Sequence, residues 1–167
     1  MVHAGDPVAT IRRADLDDIP ALARLRWEWR TVERGEYRLS RSDFEAAFLQ
    51  WWSAHQHAHV AYIAEQDGAA IGMAWLAIFD RIPQPRELTR LAGNVQSVFV
   101  LEGARNHGIG AALIDAVIAE ARVRGLGYLI VHPSERAYPL YERLGFAQTD
   151  TLLHLALDKS ATATTRE

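Results

Sequence analysis

The sequence predicts a mixed α/β (α+β) domain, and three observations carry that expectation. Short runs rich in β-branched and aromatic residues alternate with longer segments whose apolar residues recur at helical spacing. Two apolar runs are joined through Asp67-Gly68, a hairpin signal that implies antiparallel pairing. Further on, an apolar strand ends in a glycine-punctuated turn that opens a long amphipathic segment, as strand–helix units do. The 167 residues, 49% apolar, are enough for a single domain with a sizeable core.

In chain order, residues 8–13 read as a first strand. Asp15 is placed to cap a helix with Asp18 in its first turn, and Ile19, Leu22, Leu25, Arg26 and Trp29 continue it. Gly35 and the polar residues after it break that helix. Ser42-Asp43-Phe44-Glu45 has the form of a capping box before Ala46, Phe48, Leu49 and Trp52, which predicts a second helix to about Ala54. Residues 60–65 and 70–79 form the hairpin, and 80–93, with Pro83 and Pro85, read as a loop. A strand over 95–100 follows, then a helix carrying Ile109, Leu113, Ala116, Val117 and Ala121. Residues 128–132 form another short strand and lead to a short helix. Residues 146–149 and 152–157 are expected to close the sheet. The domain is expected to span 1–158, with a small-residue polar tail over 159–167 expected to be disordered.

Composition narrows the function classes. A formal net charge of −3 gives no electrostatic case for nucleic acid or an anionic membrane, so neither is expected as a partner. The basic residues are nearly all arginine, Lys159 being the only lysine, which reads as compositional bias. With no cysteine, disulfides and a thiol nucleophile are excluded. Residues 1–10 lack the basic-then-apolar pattern of a signal peptide, and no apolar run approaches about 18 residues. A cytoplasmic location is the expectation.

The most informative run is Arg105-Asn106-His107-Gly108-Ile109-Gly110. A strand ending in such a turn aims free backbone N–H groups of the following helix at one point, and the helix dipole adds partial positive charge there. Gly108 and Gly110 let an anion approach the backbone without a Cβ in the way. A phosphate-bearing ligand is implied, against the plainer reading of glycines used for packing. A nucleotide-triphosphatase loop is excluded, because Ala111-Ala112 follows Gly110 where Lys-Ser/Thr is required. A dinucleotide fingerprint is excluded for want of its third glycine.

Farther along lies Leu140-Tyr141-Glu142-Arg143-Leu144-Gly145-Phe146. With Arg105-x-x-Gly108-x-Gly110 before it, and a helix and a strand between, the chain resembles the GNAT superfamily of acetyl-CoA-dependent N-acetyltransferases. The resemblance is firm over 95–146 and compatible over 10–79. It implies a twisted mixed β-sheet of six to seven strands with helices on both faces. It also implies that the strands at 95–100 and 128–132 splay apart where they run parallel. The co-substrate acetyl-CoA would then lie along Val98, Phe99 and Val100, with its pyrophosphate over Arg105, Asn106, His107, Gly108, Ile109, Gly110 and Ala111. The family often has asparagine after the second of these strands; here Ser134 is offered, a hydroxyl with one fewer donor.

Amine acetylation sets the remaining requirements. An alkyl amine has a pKa of about 10 and is mostly protonated at neutral pH, so a base must remove a proton before it attacks. The departing thiolate needs a proton or a hydrogen bond, and the resemblance gives that general-acid role to Tyr141; Tyr138 does not fall at the motif position. For the base, Glu28 and Glu33 near the end of the first helix are candidates. Asp80 and a water held by Gln96 or Ser97 are further alternatives. No metal is expected: His55-x-His57-x-His59 would share one strand face, but no cysteine or carboxylate pair supports it. Trp27, Trp29, Trp51 and Trp52 alternate faces on two helices, so some belong to the core and the rest are available to line an apolar acceptor pocket. The reading is acetyl transfer to a primary amine, of a small molecule or a protein, by direct attack in a ternary complex. An acyl-CoA-binding sensor or partner module without turnover, a transferase of longer acyl groups, and a homodimeric assembly remain open.

Overall fold

The computed structural model describes residues 9–35 and 38–157. Strands β1 (Thr10–Arg13), β2 (His59–Gln66), β3 (Ala69–Asp80), β4 (Leu91–Val100) and β5 (Leu129–Val131) form one sheet in the order β1-β2-β3-β4-β5. The first three junctions are antiparallel and β4·β5 is parallel. Helices are α1 (Ile19–Thr31), α2 (Arg41–His55), α3 (Ile109–Val123) and α4 (Tyr138–Arg143).

Strand alternation divides the core into two layers. On one face Val60, Ala64, Ala74, Leu76 and Val95 pack against Ile109, Leu113, Ile114, Val117 and Ala121 of α3. On the other, Ala61, Ile63, Met73 and Trp75 pack against Ile19, Leu22 and Leu25 of α1 and Trp52 of α2. This period of two along the strands, met by helical spacing on each side, is what places helices on both faces. The Asp67-Gly68 turn is a hairpin in the structure, both residues having positive φ (52° and 74°), as a type I′ connection requires. Asp15 caps the chain as expected, though its first product is a 3-10 turn, Leu16–Asp18, that runs into α1. There Asp18 accepts from the Asp15 backbone N–H at 2.8 Å and from Arg12 at 2.6 and 2.7 Å. The guanidinium holds the Asp18 carboxyl below its ordinary range and also bonds Glu65, so it pins the start of α1 to β1 and β2.

Several expectations are corrected. The sheet has five strands among the described residues rather than six to seven. Residues 146–149 and 152–157 form no strand, and Leu153, Leu155 and Leu157 are exposed. The β5 edge they would join is only 3 residues long and is followed by Pro133, which has no N–H to offer a ladder. The cap of α2 is Ser40, which accepts from the Asp43 N–H at 3.1 Å, so the Ser42–Glu45 box is displaced by two residues. β4 begins at Leu91, inside the expected loop, because Leu91 and Ala92 pair with Asp80 and Phe79. The strand expected over 128–132 narrows to Leu129–Val131. Val8, at the start of the first expected strand, and the tail 159–167 lie outside the described residues. No described helix is long and apolar enough to cross a membrane.

Candidate functional site

The parallel pairing of β4 with β5 ends early. Gly93, Asn94 and Val95 pair with Leu129, Ile130 and Val131, and nothing in β5 pairs with Val98, Phe99 or Val100. On the opposite edge, the β3·β4 register shifts between Met73 and Trp75, where Ser97 takes a φ of 53°. A bulge of this kind bends its strand and re-aims a side chain. The Ser97 hydroxyl is held by Arg26 Nη1 at 2.7 Å, which ties the bulge to α1. β5 ends at Val131, so among the described residues the backbone of β4 from Val98 to Val100 has no strand paired to it on that edge.

α3 begins close to that edge. Its N-cap, Gly108, has φ 79° and offers no capping side chain, and Asn106 just before it has φ 67°. The first helical bond of the turn runs from Ala112 N to Gly108 O, so the N–H groups of Ile109, Gly110 and Ala111 have no partner within the helix. A Cβ at Gly110 would meet only Leu140 Cδ2, at 3.6 Å, an ordinary contact. Packing does not require glycine there. Gly108, by contrast, is needed for its backbone conformation.

These elements enclose a cavity of about 610 Å³. Of the residues singled out in the sequence, it is lined by Val98, Phe99, Val100, Arg105, Asn106, Gly108, Ile109, Gly110, Ala111, Ser134, Tyr141 and Glu33. His107 and Glu28 are not among its lining residues. Glu28 lies 3.9 Å from Arg24 one turn away on α1. Glu33 is ion-paired with Arg105, whose Nε also donates to Val100 O at 2.9 Å. Arg105 thus braces the turn before α3 against the end of β4.

Tyr141 is buried at the inner wall, its ring set edge-on to Phe146 with centroids 5.3 Å apart. Burial pushes its pKa up to about 12. Among the described residues its hydroxyl has no hydrogen-bond partner, so it is a neutral phenol with its donor uncommitted. Tyr138 instead reaches toward Gln148 at 3.4 Å.

The sequence reading passed over other contributors. Arg34, Arg136 and Arg143 also line the cavity and give it a basic rim, which suits an anionic ligand. Arginine abundance had read as composition, and only the fold shows these residues converging. Trp29, one of the four tryptophans the sequence offered for the core or a pocket, lines the cavity and stacks on Phe99 at 5.8 Å. The three histidines do not share a strand face: His55 ends α2, His57 sits in a 3-10 turn and His59 opens β2. His55 and His59 instead pack on Trp51, at 5.0 and 4.9 Å, and no cluster of metal-ligating side chains occurs among the described residues.

Comparison with known proteins bears on this arrangement. A family model, the acetyltransferase (GNAT) family, matches residues 19–146. An uncharacterised N-acetyltransferase of Archaeoglobus fulgidus is 31% identical over 120 residues, covering 68% of this chain and 74% of that protein. A glucosamine 6-phosphate N-acetyltransferase of Trypanosoma brucei brucei is 34% identical over 68 residues, covering 41% of this chain and 46% of that one. In fold, the chain is similar to a predicted acetyltransferase of Clostridium acetobutylicum solved with acetyl-CoA. The TM-score is 0.73 at 24% identity, over 89% of this chain and 96% of that one. With the family match spanning both motifs and the helix and strand between them, the chain belongs to the GNAT acetyltransferase family.

Proposed function

We propose that the protein transfers an acetyl group from acetyl-CoA to a primary amine by direct attack within a ternary complex. One observation carries the reading: uncommitted amide donors at the start of α3, the unpaired edge of β4, and the uncommitted Tyr141 hydroxyl all open into one cavity. A CoA thioester fits these residues. Its pyrophosphate matches the N–H groups of Ile109, Gly110 and Ala111 and the basic rim, and its amide-bearing arm matches the unpaired edge of β4 along Val98 and Val100.

In the proposed reaction the amine, once deprotonated, attacks the thioester carbonyl. The C–N bond forms to give a tetrahedral oxyanion, which collapses with cleavage of the C–S bond. The sulfur leaves as a thiolate, and the proton shed by the acylated nitrogen restores it to a thiol. A β4 N–H near Val98 stabilises the oxyanion, and Tyr141 supplies a hydrogen bond to the sulfur. Because its pKa lies well above the thiol range of about 8–9, Tyr141 acts as a donor to the developing charge. Glu33 lies within the cavity but is held by Arg105, and Glu28 lies outside it. A water-relayed base is therefore favoured over direct contact by either. The absence of cysteine excludes an acetyl-cysteine intermediate, in keeping with direct transfer.

Thermal unfolding with cofactor fragments tests the binding half of the proposal. Acetyl-CoA at 100 times its Kd is expected to stabilise the fold by about 2.7 kcal/mol. Desulfo-CoA, which keeps the pyrophosphate, is expected to act likewise, and free pantetheine much less. Equal effects from pantetheine and desulfo-CoA would remove the phosphate role of the loop.

A further inference from the structure

Beside the bulge lies a second cavity of about 190 Å³. Its wall is mostly aromatic. Phe44, Phe48 and Trp51 follow one another on a single face of α2, with centroids 5.8 Å apart at each step. Trp75 of β3 closes the wall, edge-on to Phe48 at 5.7 Å and to Trp51 at 6.0 Å. Gln96 and Ser97 supply the polar end, at the bulge. Trp52 on the same helix points into the core and is buried, whereas Trp51 is 37% exposed and Phe44 and Phe48 are half-buried. The helix has thus spent one tryptophan on the core and left an aromatic row around an unfilled hollow.

Size and charge narrow what the hollow takes. Sites for whole drug-sized ligands run to about 300–1,000 Å³, so this one suits a single side group with the rest of the molecule outside it. Among the described lining residues there is no carboxylate, and the one ionic group is the cation Arg26. Flat and branched apolar groups pack well on aromatic walls of this kind. Ser97 lies next to Val98, and Trp29, one turn beyond Arg26 on α1, lines the large cavity. A group seated here therefore leaves an attached amine free to extend toward the unpaired end of β4.

We propose that this hollow is the specificity subsite for the acceptor, and that it takes the flat aromatic or branched apolar group of a primary amine. The proposal rests on the acetyl-transfer reading for its reaction, but not for its binding. Two measurements separate the two. With acetyl-CoA saturating, kcat/KM for phenethylamine and isoamylamine is expected to exceed that for ethylamine, putrescine and spermidine by about tenfold or more. Trp51→Ala and Phe44→Ala change residues at the outer side of the wall and preserve the buried Trp52 and Trp75. Each is expected to shrink the phenethylamine-to-ethylamine ratio several-fold, through KM for the amine, with KM for acetyl-CoA unchanged. Calorimetric titration of phenethylamine into protein saturated with desulfo-CoA reads occupancy without turnover.

Phenethylamine binding that is lost in Trp51→Ala, with no amine acetylated, supports the subsite and defeats acetyl transfer. Acetylation that favours putrescine or spermidine, or that treats ethylamine and phenethylamine alike, leaves acetyl transfer standing and overturns the subsite. Neither binding nor acetylation of the apolar amines also overturns it.

Discussion

Tyr141→Phe is expected to lower turnover by about 10²- to 10³-fold, the range typical of removing one hydrogen-bond donor to developing charge, with acetyl-CoA affinity little changed. The substitution keeps the ring against Phe146 and removes only the hydroxyl. Because that hydroxyl has no partner among the described residues, its loss leaves no buried group stranded, and thermal stability is expected to hold or rise slightly. The pH dependence follows from the raised pKa. A phenol whose pKa is pushed up to about 12 stays protonated as pH rises through neutrality. Activity that depends on its proton is retained beyond the ordinary tyrosine pKa of about 10 and lost only toward the raised value. Any alkaline fall in rate below pH of about 10 therefore belongs to another group and is expected to persist in the variant. Full activity in Tyr141→Phe with a competent acceptor would defeat the role given to the hydroxyl.

Gly110→Val is expected to weaken CoA binding tenfold or more, about 1.4 kcal/mol, in a protein that remains folded. The open space around Gly110 makes this variant the cleaner test, since the first added carbon meets only Leu140 at an ordinary distance. Gly108→Val confounds two effects. A φ of 79° strains any branched residue, by roughly 1–3 kcal/mol, so lost affinity there would be mixed with lost stability. Calorimetric titration with desulfo-CoA reads the difference. Unchanged affinity in Gly110→Val would mean that no ligand comes close to that backbone.

Where local chemistry dictates structure, the sequence was sufficient. Ile109, Leu113, Val117 and Ala121 recur at helical spacing and are all buried in the structure. Asp67-Gly68 makes its turn because both residues tolerate positive φ. The glycine-punctuated turn before α3 and Tyr141 were singled out from the motif pair, and both line the same cavity. Elements that depend on a neighbour were not legible. The leucines at 153, 155 and 157 suggest a strand, but a strand needs an edge to join, and β5 offers little. Ser40 and Ser42 are both able to cap α2, and only the geometry of the Asp43 N–H selects Ser40. No glycine marks the bulge: Ser97 adopts its left-handed backbone under tertiary constraint, beside the bond to Arg26. The pairing of Arg105 with Glu33, 72 positions apart, is likewise invisible until the chain is folded.

The most direct test of acetyl transfer is a screen of primary amines with acetyl-CoA, following release of the free CoA thiol and acetylation of the amine by mass spectrometry. Release of thiol that depends on both a primary amine and the protein, in step with formation of the acetylated amine, is the expected result. Tight binding of acetyl-CoA with no thiol release from any amine would contradict it, and would mark the domain as an acyl-CoA sensor.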